Sequence, residues 1–156
     1  MSMNDDVRAC TLRALIECYR TLTPGSVPRL RELYAADAWF KDPFNEVRGI
    51  EAIERIFNHM FVQVSEPRFQ IESHIHEGDQ AVLIWIFHFR DGGRLLRVRG
   101  ASHLSFNADG RVCRHRDYWD TAEELYGHYP LIGAVLRWLA RRLAATDRGS
   151  RLRDAQ

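Results

Sequence analysis

Residues 80–106 read QAVLIWIFHFRDGGRLLRVRGASHLSF, and the fold turns on how this stretch is divided. Asp91-Gly92-Gly93 is a hairpin turn signal, because two adjacent glycines supply the positive φ angles that a tight turn between twisted strands needs. The eleven residues before it, 80–90, are apolar on both faces, as in a central strand covered on both sides. Residues 94–107 form the returning strand. Asn107-Ala108-Asp109-Gly110 is a second turn, and 111–119 a further strand. Upstream, RFQIESHIHE (68–77) alternates, with Phe69, Ile71 and Ile75 on one face, and Gly78-Asp79 turns the chain into residue 80. Four strands joined by short turns make an antiparallel meander.

The first half has a different period. Val7, Leu12, Leu15, Ile16, Tyr19 and Leu22 recur at helical spacing, with Asn4 or Asp5 as cap and Thr23-Pro24-Gly25 as terminator. A short helix is predicted over 27–35, with Pro28 in its first turn, and a short strand over 38–40, cut off at Pro43. Gly49 precedes a third helix carrying Ile50, Ile53, Ile56, Phe57, Met60 and Phe61. From Thr121 the pattern is helical again, broken at Tyr129-Pro130. Residues 131–145 set Ile132, Val135, Leu136, Leu139 and Leu143 on one face, flanked by arginines. Helices, then a meander, then a helical tail imply the α+β class, with helices on one face of a curved sheet. The expected organisation is one domain over 1–128, with 129–156 its C-terminal amphipathic helix and frayed end.

The composition agrees with a soluble globular protein. A chain of 156 residues suits one core. The 22 basic and 21 acidic residues nearly cancel, so charge gives no reason to expect nucleic acid or an anionic surface as partner. Three cysteines without a C-x-x-C pattern indicate neither a disulfide framework nor a zinc site. The acidic N-terminus lacks the order of a signal peptide, and no apolar run is long enough to span a bilayer. A cytoplasmic location is expected. His74-x-His76 lacks a third ligand, and no phosphate-loop or dinucleotide motif is present, so no metal and no cofactor are expected.

Tyr19, Tyr34-Ala35-Ala36-Asp37, Asp42-Pro43 and Gly49 lead into a helix, followed by four long strands and the ending GRVCRHRDYW (110–119). This ordered pattern, over about residues 7–120, resembles the nuclear-transport-factor-two-like superfamily, with its ketosteroid isomerases, SnoaL-like polyketide cyclases and limonene-epoxide-hydrolase-like enzymes. The resemblance implies a cone-shaped α+β barrel. A curved antiparallel sheet wraps the N-terminal helices around an apolar cavity and pairs through its outer face in a homodimer.

It also implies a site. Asp42, before Pro43, matches the aspartate that serves ketosteroid isomerases as base, and Tyr19 the phenol that hydrogen-bonds the developing oxyanion. An enolate needs both, a base for the carbon-bound proton and a donor where charge develops. Isomerases of this kind are the standard illustration of that chemistry. Ser102 stands where they have a second, protonated aspartate. The competing reading of Asp42 is a locally hydrogen-bonded turn residue beside Pro43. Asp117, in HRDYWD, matches a late-strand acid of SnoaL-like cyclases and of epoxide-hydrolase-like enzymes. The Arg and second Asp of the latter's triad fall on Ile86 and His88 here. His88 with Asp117 is then an auxiliary acid/base pair.

Alternation sorts the remaining candidates. Ser102 shares its face with Val98, Gly100, Leu104 and Phe106, while Arg97, Arg99 and His103 point out. His115, Asp117 and Trp119 face in, as do Ile84, Ile86 and His88. Ser102, His115, Trp119, Ile86, Phe57 and Phe106 are the expected substrate-binding residues. The expected function is a small cofactor-independent isomerase- or cyclase-like enzyme acting on an apolar carbonyl compound. The alternatives are a non-catalytic protein binding a lipid-like molecule, and epoxide-hydrolase-like or dehydratase chemistry. The basic tail helix fits a lid or packing role, with membrane contact a lesser option.

Overall fold

The computed structural model describes residues 3–120 and, beyond them, residues 134, 135, 138 and 139. The extension expected over 129–156 otherwise lies outside the described residues. Helix α1 (Met3–Arg20) presents Leu12, Leu15, Ile16 and Tyr19 to the core from one face. Acidic residues in its first turn and Arg20 in its last complement the helix dipole. A 3₁₀ turn (Val27–Arg29) runs into the short α2 (Leu30–Leu33). The helix predicted over 27–35 therefore stops early. Tyr34 turns extended, with ψ at 149°, and opens β1 (Tyr34–Lys41), where Tyr34 and Ala35 are both buried. Burial at successive residues is a demand that a strand inside a sheet meets and the exposed side of a helix does not.

Strand β2 (Glu46–Arg48), absent from the sequence reading, folds back on β1 across a tight turn at Asp42–Asn45. Gly49 follows with φ of +95°, a conformation side chains disfavour, and its N–H donates to Ala38 O at 2.8 Å. That reversal starts α3 (Ile50–Gln63), which buries Ile50, Ile53 and Phe57. Buried Glu54 takes two hydrogen bonds of 2.6 Å from Arg31, tying α3 to α2.

Strands β3 (Ser65–Glu77), β4 (Gln80–Asp91), β5 (Arg94–Phe106) and β6 (Val112–Trp119) form the meander. The six-stranded sheet has the order β2-β1-β6-β5-β4-β3. It is mixed rather than wholly antiparallel, because β1 lies parallel to β6. One core joins α1, α3 and the inner sheet face, including Leu15, Ile53, Leu83, Trp85, Leu104 and Phe106. Among the described residues no helix is long and apolar enough to cross a membrane.

Two strand facings differ from those the sequence leads one to expect. The β3–β4 ladder shifts between Ile71 and Ser73, so Glu72 is an extra residue and the faces of β3 exchange there. Ile75, expected on the core face, is 69% exposed, and His76 takes the inner side against Phe106. In β4 the inward set is Leu83, Trp85, Phe87 and Phe89, so the expected facing of Ile84, Ile86 and His88 is wrong by one residue. The hairpin itself sets this. Asp91 pairs with Arg94, so three pairs back His88 is opposite Arg97, and four pairs back Phe87 is opposite Val98. Residues directly opposite in a ladder share a face.

Candidate active site

The inner sheet face, α3 and the β1–β2 turn enclose a cavity of about 910 Å³. Phe40, Phe57, Phe69, Trp85, Phe87, Phe89 and Trp119 give it an aromatic wall, with Val98 beside them. Its polar lining includes Asp42, Asn45, Arg55, Asn58, Gln63, Asp91 and Asp117. Both expected catalytic acids, Asp42 and Asp117, thus line one largely apolar space, but they are held differently.

Asp42 is bound up in its own turn. Oδ1 accepts from Phe44 N at 2.7 Å, Asn45 N at 2.6 Å and Asn45 Nδ2 at 3.1 Å, and Oδ2 accepts from Asn45 Nδ2 at 3.0 Å. An Asp that caps backbone amides two and three residues on is an Asx turn, and here it shapes the hairpin at the cavity rim.

Asp117 is held from behind. Its Oδ1 accepts from His115 Nε2 at 2.7 Å and from Ser102 Oγ at 2.5 Å. Among the described residues Oδ2 has no hydrogen-bond partner. The two donors are themselves held. Trp85 Nε1 donates to Ser102 Oγ at 2.8 Å. His115 Nδ1 lies 2.6 Å from the Tyr34 hydroxyl, which lies 2.5 Å from that of Tyr19. With the carboxylate as acceptor, two assignments leave no buried donor unpaired, because the Tyr19 hydroxyl also lies 3.3 Å from His115 Nδ1. The shorter contacts select the one in which Tyr19 donates to Tyr34, Tyr34 to His115 Nδ1, and His115 Nε2–H to the carboxylate. Burial raises the pKa of both phenols, that of Tyr19 strongly, so each remains a neutral donor.

The other expected site residues divide clearly. Phe57 and Trp119 line the cavity, Trp119 against Phe44. Ser102 and His115 are buried behind Asp117 and do not face the space. Tyr19, expected to hydrogen-bond substrate directly, is 5% exposed and does not line the cavity, its hydroxyl being turned to Tyr34 and His115. Phe106 is core beyond the cavity. His88 and Ile86 are on the outer face. His88 bonds Gln70 at 3.2 Å, and its pKa is lowered by burial and then by Arg97 and Arg68, so it does not pair with Asp117. Trp85, Phe87 and Tyr34 are the residues sequence reasoning missed. Hairpin counting from Asp91–Arg94 exposes the first two, whereas Tyr34 was hidden in a helix that ends one residue before it. Among the described residues no cluster of three or more His, Cys, Asp or Glu is placed to hold a metal.

The family model of the SnoaL-like domain matches residues 15–115, from the middle of α1 to the histidine beside Asp117. The chain belongs to the SnoaL-like family. Solved structures share the cone-shaped fold of this SnoaL-like domain. One is a proposed SnoaL-like polyketide cyclase from Jannaschia sp. CCS1, at 18% identity and a TM-score of 0.66, covering 77% of this chain and 90% of that one. Another is a nuclear-transport-factor-two-like protein of unknown function from Burkholderia pseudomallei, at 20% identity and a TM-score of 0.66, covering 79% and 95%. A third, from Catenulispora acidiphila, has a ketosteroid-isomerase-like fold and was solved with trimethylamine, at 17% identity and a TM-score of 0.63, covering 74% and 88%. No curated protein matches the SnoaL-like chain.

Proposed function

We propose that this SnoaL-like protein is a cofactor-independent enzyme that moves a proton next to the carbonyl of an apolar small molecule, in isomerase- or cyclase-like chemistry. The observation that supports it most is the asymmetry of Asp117, which lines the aromatic cavity with Oδ1 anchored by two buried donors and Oδ2 without a hydrogen-bond partner among the described residues. A carboxylate in that state is costly to bury unless it is paired, and useful as a base when one oxygen is kept free. Oδ2 takes the carbon-bound proton, leaving an enolate and a neutral acid. Returning the proton to another atom of the enolate completes an isomerisation. In a cyclisation the enolate carbon first bonds to a second carbonyl carbon, and the acid protonates the resulting alkoxide.

The test is deuterium exchange. The protein is incubated in D₂O with a panel of apolar ketones and 1,3-dicarbonyl compounds, and loss of the α-proton signal is followed by NMR. Exchange well above the buffer rate is expected for at least one compound. Binding without exchange across the panel would leave the protein a carrier of apolar ligands.

Asp42→Asn separates the two carboxylates. An amide oxygen can still accept the turn's backbone bonds, so exchange within about threefold of wild type is expected if Asp117 is the base. A loss as deep as that of Asp117→Asn would return the role to Asp42.

A homodimer through the outer sheet face belongs to the same reading. That face carries exposed Tyr118, with Arg116 over its ring at 4.6 Å, and Arg114 over Trp39 at 4.5 Å. Light scattering at micromolar concentration is expected to give twice the chain mass, and a monomer would remove the proposal.

A further inference from the structure

We infer that Tyr34 is a positioning residue whose hydroxyl, backed by Tyr19, locks the His115 ring and through it fixes which oxygen of Asp117 meets the substrate. This rests on the reading of Asp117 as base. Three observations carry it. The Tyr34 hydroxyl is 2.6 Å from His115 Nδ1, both residues are at most 2% exposed, and neither lines the cavity. The opposite ring nitrogen is 2.7 Å from Asp117 Oδ1. Tyr19 is 2.5 Å from the Tyr34 oxygen but 3.3 Å from His115 Nδ1, so the shorter contact to that nitrogen is the one made by Tyr34.

The consequence is directional. An imidazole held only by Asp117 turns about its ring torsion, which is broad for histidine. One held at both nitrogens does not. Tyr34 therefore keeps Nδ1 an acceptor and Nε2 a donor, and the Nε2–H keeps Oδ1 occupied. Tyr34 reaches the chemistry through two intervening side chains and touches no substrate.

The test uses ¹⁵N-histidine-labelled protein, with the His115 signals assigned by their loss in His115→Gln. In wild type at neutral pH the proton is expected on Nε2, with Nδ1 unprotonated and hydrogen-bonded. In Tyr34→Phe the Nδ1 resonance is expected to move downfield, as it does when an unprotonated ring nitrogen loses its donor. kcat for exchange is expected to fall about 10- to 100-fold, the range typical when a group that orients a catalytic side chain is removed. KM is expected to stay within about threefold. Tyr19→Phe, which keeps the Tyr34 donor, is expected to leave the Nδ1 resonance close to wild type. A wild-type proton on Nδ1 would overturn the inference, and so would a Tyr34→Phe spectrum unchanged at Nδ1. If Tyr34→Phe does not fold, the wild-type spectrum and Tyr19→Phe decide. The spectra need no substrate. Failure to find turnover would therefore count against Asp117 as base and leave the lock to be judged by NMR.

Discussion

Asp117→Asn is expected to keep the fold and the cavity while losing turnover by about 10²- to 10⁴-fold, the usual contribution of a positioned acid or base. The variant is conservative at the anchored end. The amide oxygen takes the place of Oδ1 and still accepts from His115 Nε2 and Ser102 Oγ, at 2.7 and 2.5 Å in the native protein. The change falls at the other end, where an NH₂ group replaces the oxygen that has no hydrogen-bond partner among the described residues. An amide has no basic lone pair for a carbon-bound proton, so exchange stops although ligand still enters. Rates should be measured beside circular dichroism and a melting curve. A native spectrum with exchange within threefold of wild type would exclude Asp117 as the base. Full loss here with near-normal exchange in Asp42→Asn would place the proton transfer on the late strand rather than beside the proline.

That contrast marks how far the sequence could be read. The meander was legible because its turns are chemical. Gly92-Gly93 and Asn107–Gly110 leave the chain few ways to continue, and the inward faces of β5 and β6 follow by alternation. Glu72 was not legible, because nothing in RFQIESHIHE distinguishes a bulge from continued alternation. His88 was misplaced for a different reason. β4 is apolar on both faces, so periodicity cannot orient it, and only the pairing across the hairpin does. Asp42 shows the limit of a motif. Asp before Pro marks both a base and a turn former, and the choice depends on Asn45, whose backbone and side chain take up both oxygens. The relay behind Asp117 joins α1, β1, β4, β5 and β6. No short-range pattern brings Tyr19, Tyr34, Trp85, Ser102 and His115 together.

Gly100 is the least conspicuous residue of that assembly, and Gly100→Ala has the second large expected effect. Gly100 pairs directly with Trp85 across β4 and β5, with the indole lying over it. A Cβ at Gly100 would sit 2.4 Å from Cη2, 2.6 Å from Cζ2 and 2.9 Å from Cζ3 of that ring. The backbone is held by ladder bonds on both sides, from β4 and from β6, so the ring must yield. Rotating it off Gly100 drives it into the cavity and breaks the bond from Nε1 to Ser102 Oγ. Overpacking costs about 1–3 kcal/mol and a stranded indole N–H about 1–3 kcal/mol more, so a loss of roughly 2–6 kcal/mol is expected in denaturant unfolding. Ser102 then loses the donor that aims its own proton at Asp117, and the cavity narrows. Affinity for apolar ligands and exchange rate should fall together. Trp85→Phe removes the ring atoms that the new methyl would meet. In a double-mutant cycle Gly100→Ala should therefore cost much less on the Trp85→Phe background than on wild type. Equal costs on the two backgrounds would mean that the methyl is accommodated without moving Trp85, and that the indole, Ser102 and Asp117 are not held in line by the space a glycine leaves.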